Sequence, residues 1–237
     1  MGFRTASREP VAYNRWFTDN PARRVDDETG RYYVTPDGSF PSVTRAIGET
    51  AEKGWLDDWI ARVGESEAER IRDEASHVGN TFHDLNESWI TGCDGPTDLH
   101  PEGRALHRKC IPVMREHYRE FVASEEILWS KKLGLAGTMD YAAWTRNDQF
   151  VVGDFKNSRK MKTRDQIGDY WIQATLYAIM WWSLTGRRPD RIDIIMAVRE
   201  DLTVQMYSEP FTDWLIQRAV QRVLLFRNAT VGSLDPG

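Results

Sequence analysis

The second half of the chain has a regular order of strand-like and helix-like segments, which restricts the possible folds more than any other feature. The segments are strands at 127–129, 136–144 and 149–155, a helix at 165–185, strands at 191–198 and 203–208, and a helix at 210–228. Strands interrupted by single amphipathic helices are typical of domains in which helices cover a sheet. We therefore predict an α+β or α/β core with a central mixed sheet flanked by helices.

The first 44 residues predict an arm followed by a hairpin. Residues 1–30 are polar and irregular in pattern, and we interpret them as an N-terminal arm. Residues 31–44 predict a hairpin, with strands at 32–35 and 42–44 around a turn that contains Pro36-Asp37-Gly38. The chain would therefore enter its main domain through a short β element.

Helical periodicity dominates the next stretch of the chain. Apolar residues recur at helical spacing over 49–92, with a break at Gly64, and a further helix is predicted over 102–123. We therefore predict a single domain over 31–237, whose helical part covers about 45–123.

Composition and charge exclude several classes of protein. The net charge of -5 argues against a wholly basic nucleic-acid binder, although metal-binding carboxylates would lower the net charge of an enzyme that acts on nucleic acid. Cys93 and Cys110 are too few for a disulfide framework. The chain starts without an apolar signal region, and its best apolar run, at 179–182, is too short to span a membrane. We expect a cytoplasmic protein.

Two carboxylates and a lysine are predicted to meet on the sheet. Asp154 and Lys156 are two residues apart in one strand, so their side chains project from the same face. The preceding strand carries Gly-Thr-Met-Asp, which ends at Asp140. Such carboxylates can hold Mg²⁺ or Mn²⁺ against a phosphodiester, and the lysine can orient or deprotonate water or stabilise the transition state. An Asp and a Lys at this spacing are more often a solvated face, so the pair alone is a weak signal.

Five motifs in one order make the signal specific. They are Gly79 to His83, Glu125 or Glu126, Gly137 to Asp140, Asp154 to Lys156, and Gln173 to Tyr177. This combination resembles the PD-(D/E)XK nuclease superfamily, in its RecB-like exonuclease branch, over roughly residues 31–180. The resemblance implies a restriction-endonuclease-like core with a helical N-terminal half, and a catalytic core at about 124–228.

The resemblance also implies roles for single residues. Asp140 and Asp154 would be metal ligands, together with the backbone carbonyl of Phe155, and Lys156 would be the catalytic lysine. His83 would complete the metal site or contact a phosphate; taken alone, it would more often be a histidine at the edge of a core.

Three further positions complete the implied site. Glu125 would lie near a second metal position; Glu125 and Glu126 alternate faces on a strand, and the spacing to the apolar Leu128 favours Glu125. Gln173 and Tyr177 lie four residues apart on one helical face, and the resemblance implies that they position either the nucleic acid or the lysine.

The chain also contains candidate nucleic-acid contacts. The densest basic run follows the catalytic lysine directly, in a loop where its side chains could pair with phosphates. The hairpin exit resembles the entry of small phage and mitochondrial single-domain exonucleases. The residues in question are Ser158, Arg159, Lys160, Lys162 and Arg164 in the loop, and Ser42 and Thr44 at the hairpin exit.

The resemblance implies a divalent-metal-dependent deoxyribonuclease, and an exonuclease is the preferred interpretation. Its substrate would be DNA that is single-stranded or has free ends, and it would act in recombination, repair or replication. A phage-encoded enzyme of this size would act in the host cytoplasm. One alternative is a structure-specific endonuclease of the same fold, which a closed circular substrate separates from an exonuclease. Another is a catalytically inactive nucleic-acid-binding module, which a metal-dependent cleavage assay separates from both.

Cofactors and partners follow from the same resemblance. Some relatives hold an iron–sulfur cluster with four cysteines, but this chain has only two, so we expect Mg²⁺ or Mn²⁺ and no cluster. The sequence lacks a G-x-x-x-x-G-K-[ST] phosphate loop, so any helicase would be a separate protein. A recombinase or an annealing protein is an equally suitable partner, and no membrane partner is expected.

Overall fold

A computed structural model describes residues 11–28, 30–51 and 54–232, which form a six-stranded mixed sheet between two helical layers, with a three-stranded sheet beside them. The strands are β1 (Ala12–Tyr13), β2 (Arg23–Asp27), β3 (Gly30–Thr35), β4 (Gly38–Pro41), β5 (Tyr118–Ser130), β6 (Leu135–Thr145), β7 (Phe150–Ser158), β8 (Arg191–Val198) and β9 (Thr203–Pro210). The helices are α1 (Val43–Thr50), α2 (Gly54–Val63), α3 (Glu65–Thr91), α4 (Pro101–His117), α5 (Gly168–Thr185) and α6 (Asp213–Gly232).

The large sheet has the strand order β1-β5-β6-β7-β8-β9. The pairs β5–β6, β6–β7 and β8–β9 are antiparallel, whereas β1–β5 and β7–β8 are parallel, and β7 is joined to β8 through α5. A parallel pair requires such a crossover connection, which places α5 on one face of the sheet. The predicted fold class, a central mixed sheet flanked by helices, is confirmed.

Each face of the sheet has its own hydrophobic core. Helices α1, α5 and α6 cover one face, where Met139, Val152 and Ile194 are buried beneath Trp181. Helices α3 and α4 cover the other face, where Phe82 packs near Phe155. Fully buried side chains of this size contribute about 1.5 to 3 kcal/mol each to stability, so both helical layers are held mainly by apolar burial.

Two predicted boundaries are wrong. The helix predicted over 102–123 ends at His117, because residues 118–123 begin β5 and pair with β6. Tyr118 and Phe121 are buried in the core beneath α3 and α4. Apolar spacing alone does not separate a short strand from the last turns of a helix. The helical part of the domain therefore ends at 117 rather than at about 123.

The predicted position of the second hairpin strand, 42–44, is also wrong. That strand is β4, at Gly38–Pro41, and Ser42 is instead the N-cap of α1, where its hydroxyl accepts a hydrogen bond from the Arg45 N–H at 3.0 Å. Thr44 lies inside α1. Serine is among the best N-cap residues because its oxygen satisfies an N–H that has no partner within the helix.

The N-terminal arm is not irregular throughout. Residues 12–13 add a parallel strand beside β5, and residues 23–27 pair with β3, while residues 1–10 lie outside the described part of the chain. The division into an arm and a single domain over 31–237 stays a prediction. Among the described residues, no helix is both long and apolar enough to cross a membrane.

His107 should make stability depend on pH. Its Nδ1 lies 2.8 Å from Asn86 Oδ1, and burial, followed by the charge of Arg108, lowers the pKa of His107 to about 4. The unfolded chain binds this proton near pH 6.5, so stability is present above that value and falls as the pH decreases towards 4. Because the side chain is partly exposed, we expect an effect of about 1 kcal/mol, well below the full linkage value.

The measurement is chemical denaturation of wild type and His107→Asn between pH 7 and pH 4, since the asparagine amide replaces Nδ1 without titrating. The wild type should lose more stability than the variant over this range. Parallel curves would show that His107 is protonated equally in the folded and unfolded states.

Candidate active site

A fork between two central strands creates the candidate site. Strands β6 and β7 pair from Trp144–Phe150 as far as Tyr141–Gly153, after which β6 continues beside β5 and β7 beside β8. The next residues are Asp140 and Asp154, which therefore stand at the point where the sheet opens. The Phe155 N–H donates to Asp140 Oδ2 at 2.6 Å. The Asp140 carboxylate thus accepts the hydrogen bond that the Phe155 N–H would otherwise donate to a backbone carbonyl of β6.

Two glycines allow helices to approach this fork closely. A Cβ at Gly137 would lie 2.9 Å from the ring of Tyr177, so α5 packs directly on β6. A Cβ at Gly79 would lie 3.1 Å from Asn157 Nδ2, so α3 approaches β7 one helical turn before His83. Both motif glycines therefore have a steric reason, which is to bring a helix against the open end of the sheet.

His83, Glu125 and Asp140 form a compact group in the fork. His83 Nδ1 lies 3.5 Å from Asp140 Oδ2 and 3.7 Å from Glu125 Oε1. One donor atom from each of the three residues lies within 4.8 Å of the other two. Glu125 has a φ of 47°, a left-handed conformation that a glutamate rarely adopts and that often marks a functional position.

Glu125, and not Glu126, faces this group. Glu126 is buried on the other side of β5, where Asn20 Nδ2 donates to it at 2.5 Å and Arg15 lies 3.4 Å away. The sequence left the choice between the two glutamates open with a preference for Glu125, and the contacts agree with that preference.

Asp154 and Lys156 form a buried ion pair beside the group. The Lys156 ammonium lies 2.6 and 2.8 Å from the two carboxylate oxygens, and the Asp154 side chain is fully buried. Lys156 also lies over the ring of Tyr170, 5.5 Å from its centroid. The sequence motifs assign no role to Tyr170. Its position seven residues before Tyr177 on the same helical face was the available signal.

The charges of the cluster perturb one another strongly. Burial raises the pKa of Asp154 to about 6 although Lys156 opposes this, and burial likewise raises the pKa of Asp140. Burial disfavours the charged form of His83, but Asp140 and then Glu125 outweigh it and raise its pKa to about 9. Burial also opposes the charge of Lys156, yet Asp154 and Asp140 raise its pKa overall. Positive charge thus stabilises the carboxylates that meet in the fork.

The donor set fits a divalent cation. Two carboxylates suit Mg²⁺ and Mn²⁺, and an imidazole is better accepted by Mn²⁺ than by Mg²⁺. The group that can hold a metal ion consists of His83, Glu125 and Asp140. Asp154, which the resemblance implies as a further metal ligand, is paired with Lys156, and its role as a ligand stays a prediction. The raised pKa of His83 means that a metal would have to displace a proton from the imidazole.

Tyr177 lies behind the fork rather than in an open groove, and Gln173 is half-buried beside it. Tyr177 is only 2% exposed and packs on Gly137, and Gln173 forms a side-chain hydrogen bond with it. Ser42 is equally buried, 2% exposed, and its backbone bridges to Ala136 at the start of β6. In this arrangement Tyr177 and Ser42 support the site from within.

The basic loop after β7 is partly committed to internal contacts. Arg164 pairs with Glu209 and lies over Trp171, and Lys162 Nζ donates to the Tyr170 hydroxyl at 2.7 Å. The Ser158 hydroxyl donates to the Lys160 carbonyl at 2.8 Å. Within the described part of the chain, Arg159 and Lys160 keep exposed side chains without an ion pair.

Comparisons with known proteins leave the family open. No protein family and no curated protein matches the chain. Among solved structures, one called SSO0001 has a TM-score of 0.41 at 14% identity over 77% of this chain and 75% of that one. Another, called "Putative exonuclease" and from Eubacterium rectale, has a TM-score of 0.40 at 14% identity over 66% of this chain and 68% of that one. Likenesses this weak carry no weight for function.

Proposed function

We propose that this chain is a divalent-metal-dependent deoxyribonuclease of the PD-(D/E)XK type, and that it acts as an exonuclease on DNA ends. One observation carries the proposal. His83, Glu125 and Asp140 form a metal-sized group at the open fork, and the Asp154–Lys156 pair lies in the strand beside it. A structural role alone would not require so many charged groups at one poorly solvated point.

The backbone of Phe155 supports the same proposal. In a strand, the N–H and the C=O of a residue point to the same side. The Phe155 N–H points towards Asp140, on the side of the fork where β6 no longer pairs. Its carbonyl therefore faces the same gap, as a backbone ligand to a cation would.

In the proposed mechanism, a bound Mg²⁺ or Mn²⁺ would polarise the phosphate and activate water. His83, Glu125 and Asp140 would bind the ion, and the Phe155 N–H would keep the Asp140 carboxylate oriented. Lys156 would donate hydrogen bonds to the attacking water or to a phosphate oxygen, and Asp154 would hold it in place. The raised pKa of Lys156 favours this role as a donor over that of a base.

Removal of divalent metal should stop cleavage. We expect EDTA to lower the rate of DNA hydrolysis by about 1,000-fold or more, since a bound metal contributes several kcal/mol to stabilising the transition state. Added Mg²⁺ or Mn²⁺ should restore the rate, and Mn²⁺ should act at the lower concentration because of the imidazole ligand. The measurement is digestion of end-labelled DNA with the purified protein, and chelator-resistant cleavage would contradict the metal site.

Substrate topology separates an exonuclease from an endonuclease. Linear single-stranded and double-stranded DNA labelled at either end should release short products from an end, whereas covalently closed circular DNA should stay intact. Nicking of the circle would instead support a structure-specific endonuclease. Binding of DNA without any metal-dependent cleavage would support an inactive binding module.

A further inference from the structure

The loop between β7 and α5 presents one apolar side chain next to the candidate site. Met161 is 58% exposed and lies between Lys160 and Lys162. Single exposed apolar residues are common on protein surfaces. Met161 differs from such residues because hydrogen bonds hold the loop on both sides of it, and because its neighbour Lys162 contacts the same tyrosine ring as Lys156.

Hydrogen bonds anchor the loop on both sides of Met161. On one side, the carbonyls of Ser158 and Arg159 accept the Arg199 and Glu200 N–H groups at 2.8 and 3.0 Å, which prolongs the pairing of β7 with β8. On the other side, the Lys162 carbonyl accepts a hydrogen bond from the Tyr207 hydroxyl. A capping box at Thr163 then starts the turn that leads into α5.

Tyr170 sets the distance from the loop to the catalytic lysine. Its ring lies under both Lys156 and Lys162, with the two ammonium groups 5.5 and 4.7 Å from its centroid. The two lysines are therefore at most about 10 Å apart, the sum of these distances. At about 3.4 Å per nucleotide along a duplex strand, this is a separation of about three nucleotides or fewer.

We infer that Met161 packs against an unpaired nucleobase within a few nucleotides of the scissile phosphate, while Arg159 and Lys160 contact the neighbouring phosphates. This inference rests on the proposed nuclease function and names its substrate class: strands with unpaired bases at the site. A methionine is flexible and polarizable, so it can pack against any base face without reading sequence. Methionine is also among the apolar residues that proteins insert between bases.

Abasic substrates test the inference directly. Single-stranded oligonucleotides with one abasic position, moved stepwise across the cleaved bond, should be cut about tenfold more slowly by the wild type at one or two positions, as expected for loss of one stacked base. Met161→Ala should slow cleavage of normal DNA about tenfold and lose nothing further on the sensitive abasic substrate. Met161→Leu should keep most of the activity, because it keeps the apolar contact.

Two controls make the outcome decisive. Lys160→Ala should slow cleavage of normal and abasic strands equally and make cleavage more tolerant of salt, as expected for a lost phosphate contact. Wild type should cut single strands and frayed ends faster than blunt duplex ends, and Met161→Ala should narrow that ratio. The inference would be overturned if the wild type cut normal and abasic strands at the same rate. It would also be overturned if Met161→Ala cut the abasic strand about tenfold more slowly than the normal strand, as the wild type is expected to do.

Binding distinguishes a failure of this inference from a failure of the proposed function. Binding of the same oligonucleotides is measured by fluorescence anisotropy without metal. The wild type should bind the sensitive abasic strand more weakly than the normal strand, whereas Met161→Ala should bind the two strands equally. If the wild type cleaves nothing and still shows this pattern, the nuclease proposal fails and the base contact stands. If the wild type cleaves but the pattern is absent, the base contact fails alone.

Discussion

Replacement of Lys156 by Met, or of Asp154 by Asn, should lower the rate of metal-dependent DNA cleavage by about 100- to 10,000-fold. Lys156 is held 2.6 to 2.8 Å from both Asp154 oxygens and points into the fork beside the proposed metal ligands. Methionine keeps the stem of the lysine but removes its donors, and asparagine keeps the shape of the aspartate but removes its charge. Either change removes an interaction proposed to strengthen in the transition state.

Both variants should still fold. Burial already raises the pKa of Asp154 to about 6, and loss of the Lys156 cation, which lowers that pKa, would raise it further. In Lys156→Met, Asp154 can therefore take up a proton instead of remaining an unpaired buried charge. Thermal unfolding followed by circular dichroism should show one cooperative transition for wild type and both variants.

Matched surface changes serve as controls. Lys109→Met alters an exposed lysine on α4, and Asp98→Asn alters an aspartate that is 95% exposed. Both should cleave like the wild type in single-turnover assays. If folded Lys156→Met or Asp154→Asn cleaved DNA at the wild-type rate, the proposed function would be contradicted.

The order of elements could be predicted from the sequence because each strand and helix after residue 124 has its own periodicity and turn residues. The approach of Glu125, Asp140 and His83 to one another also agrees with the motif order. Ser42 was misassigned for a local reason: Val43 and Thr44 favour a strand, but the serine hydroxyl bonded to the Arg45 N–H favours a helix start.

Features that depend on tertiary structure could not be predicted. The separation of β6 from β7 after the Tyr141–Gly153 pair depends on how β5 and β8 compete for the two strands, which no local pattern records. The pairing of Arg164 with Glu209, 45 residues later, likewise removes one predicted phosphate contact. Charge in a sequence shows which residues could bind phosphate, but only the fold shows which are already paired.

Gly153→Ala should be the most destabilising of these substitutions for the fold itself. A Cβ at Gly153 would lie 1.9 to 2.3 Å from the Cζ, hydroxyl and Cε2 atoms of Tyr141, so the buried ring would have to move. That movement would break the 2.8 Å hydrogen bond to the Tyr118 hydroxyl, which also donates to the buried Asp193. We expect the free energy of unfolding to fall by about 3 kcal/mol, at the upper end for overpacked cores.

A double-mutant cycle with Tyr141→Leu tests this steric cause, because leucine lacks the three ring atoms that the new methyl group would meet. Tyr141→Leu alone should cost about 2 kcal/mol or more, from lost packing and a lost hydrogen bond. The double variant should cost no more than Tyr141→Leu alone, within about 0.5 kcal/mol. Urea denaturation of the four proteins measures the cycle. Additive losses would show that Gly153 is required for its backbone and not for the space that it leaves to Tyr141.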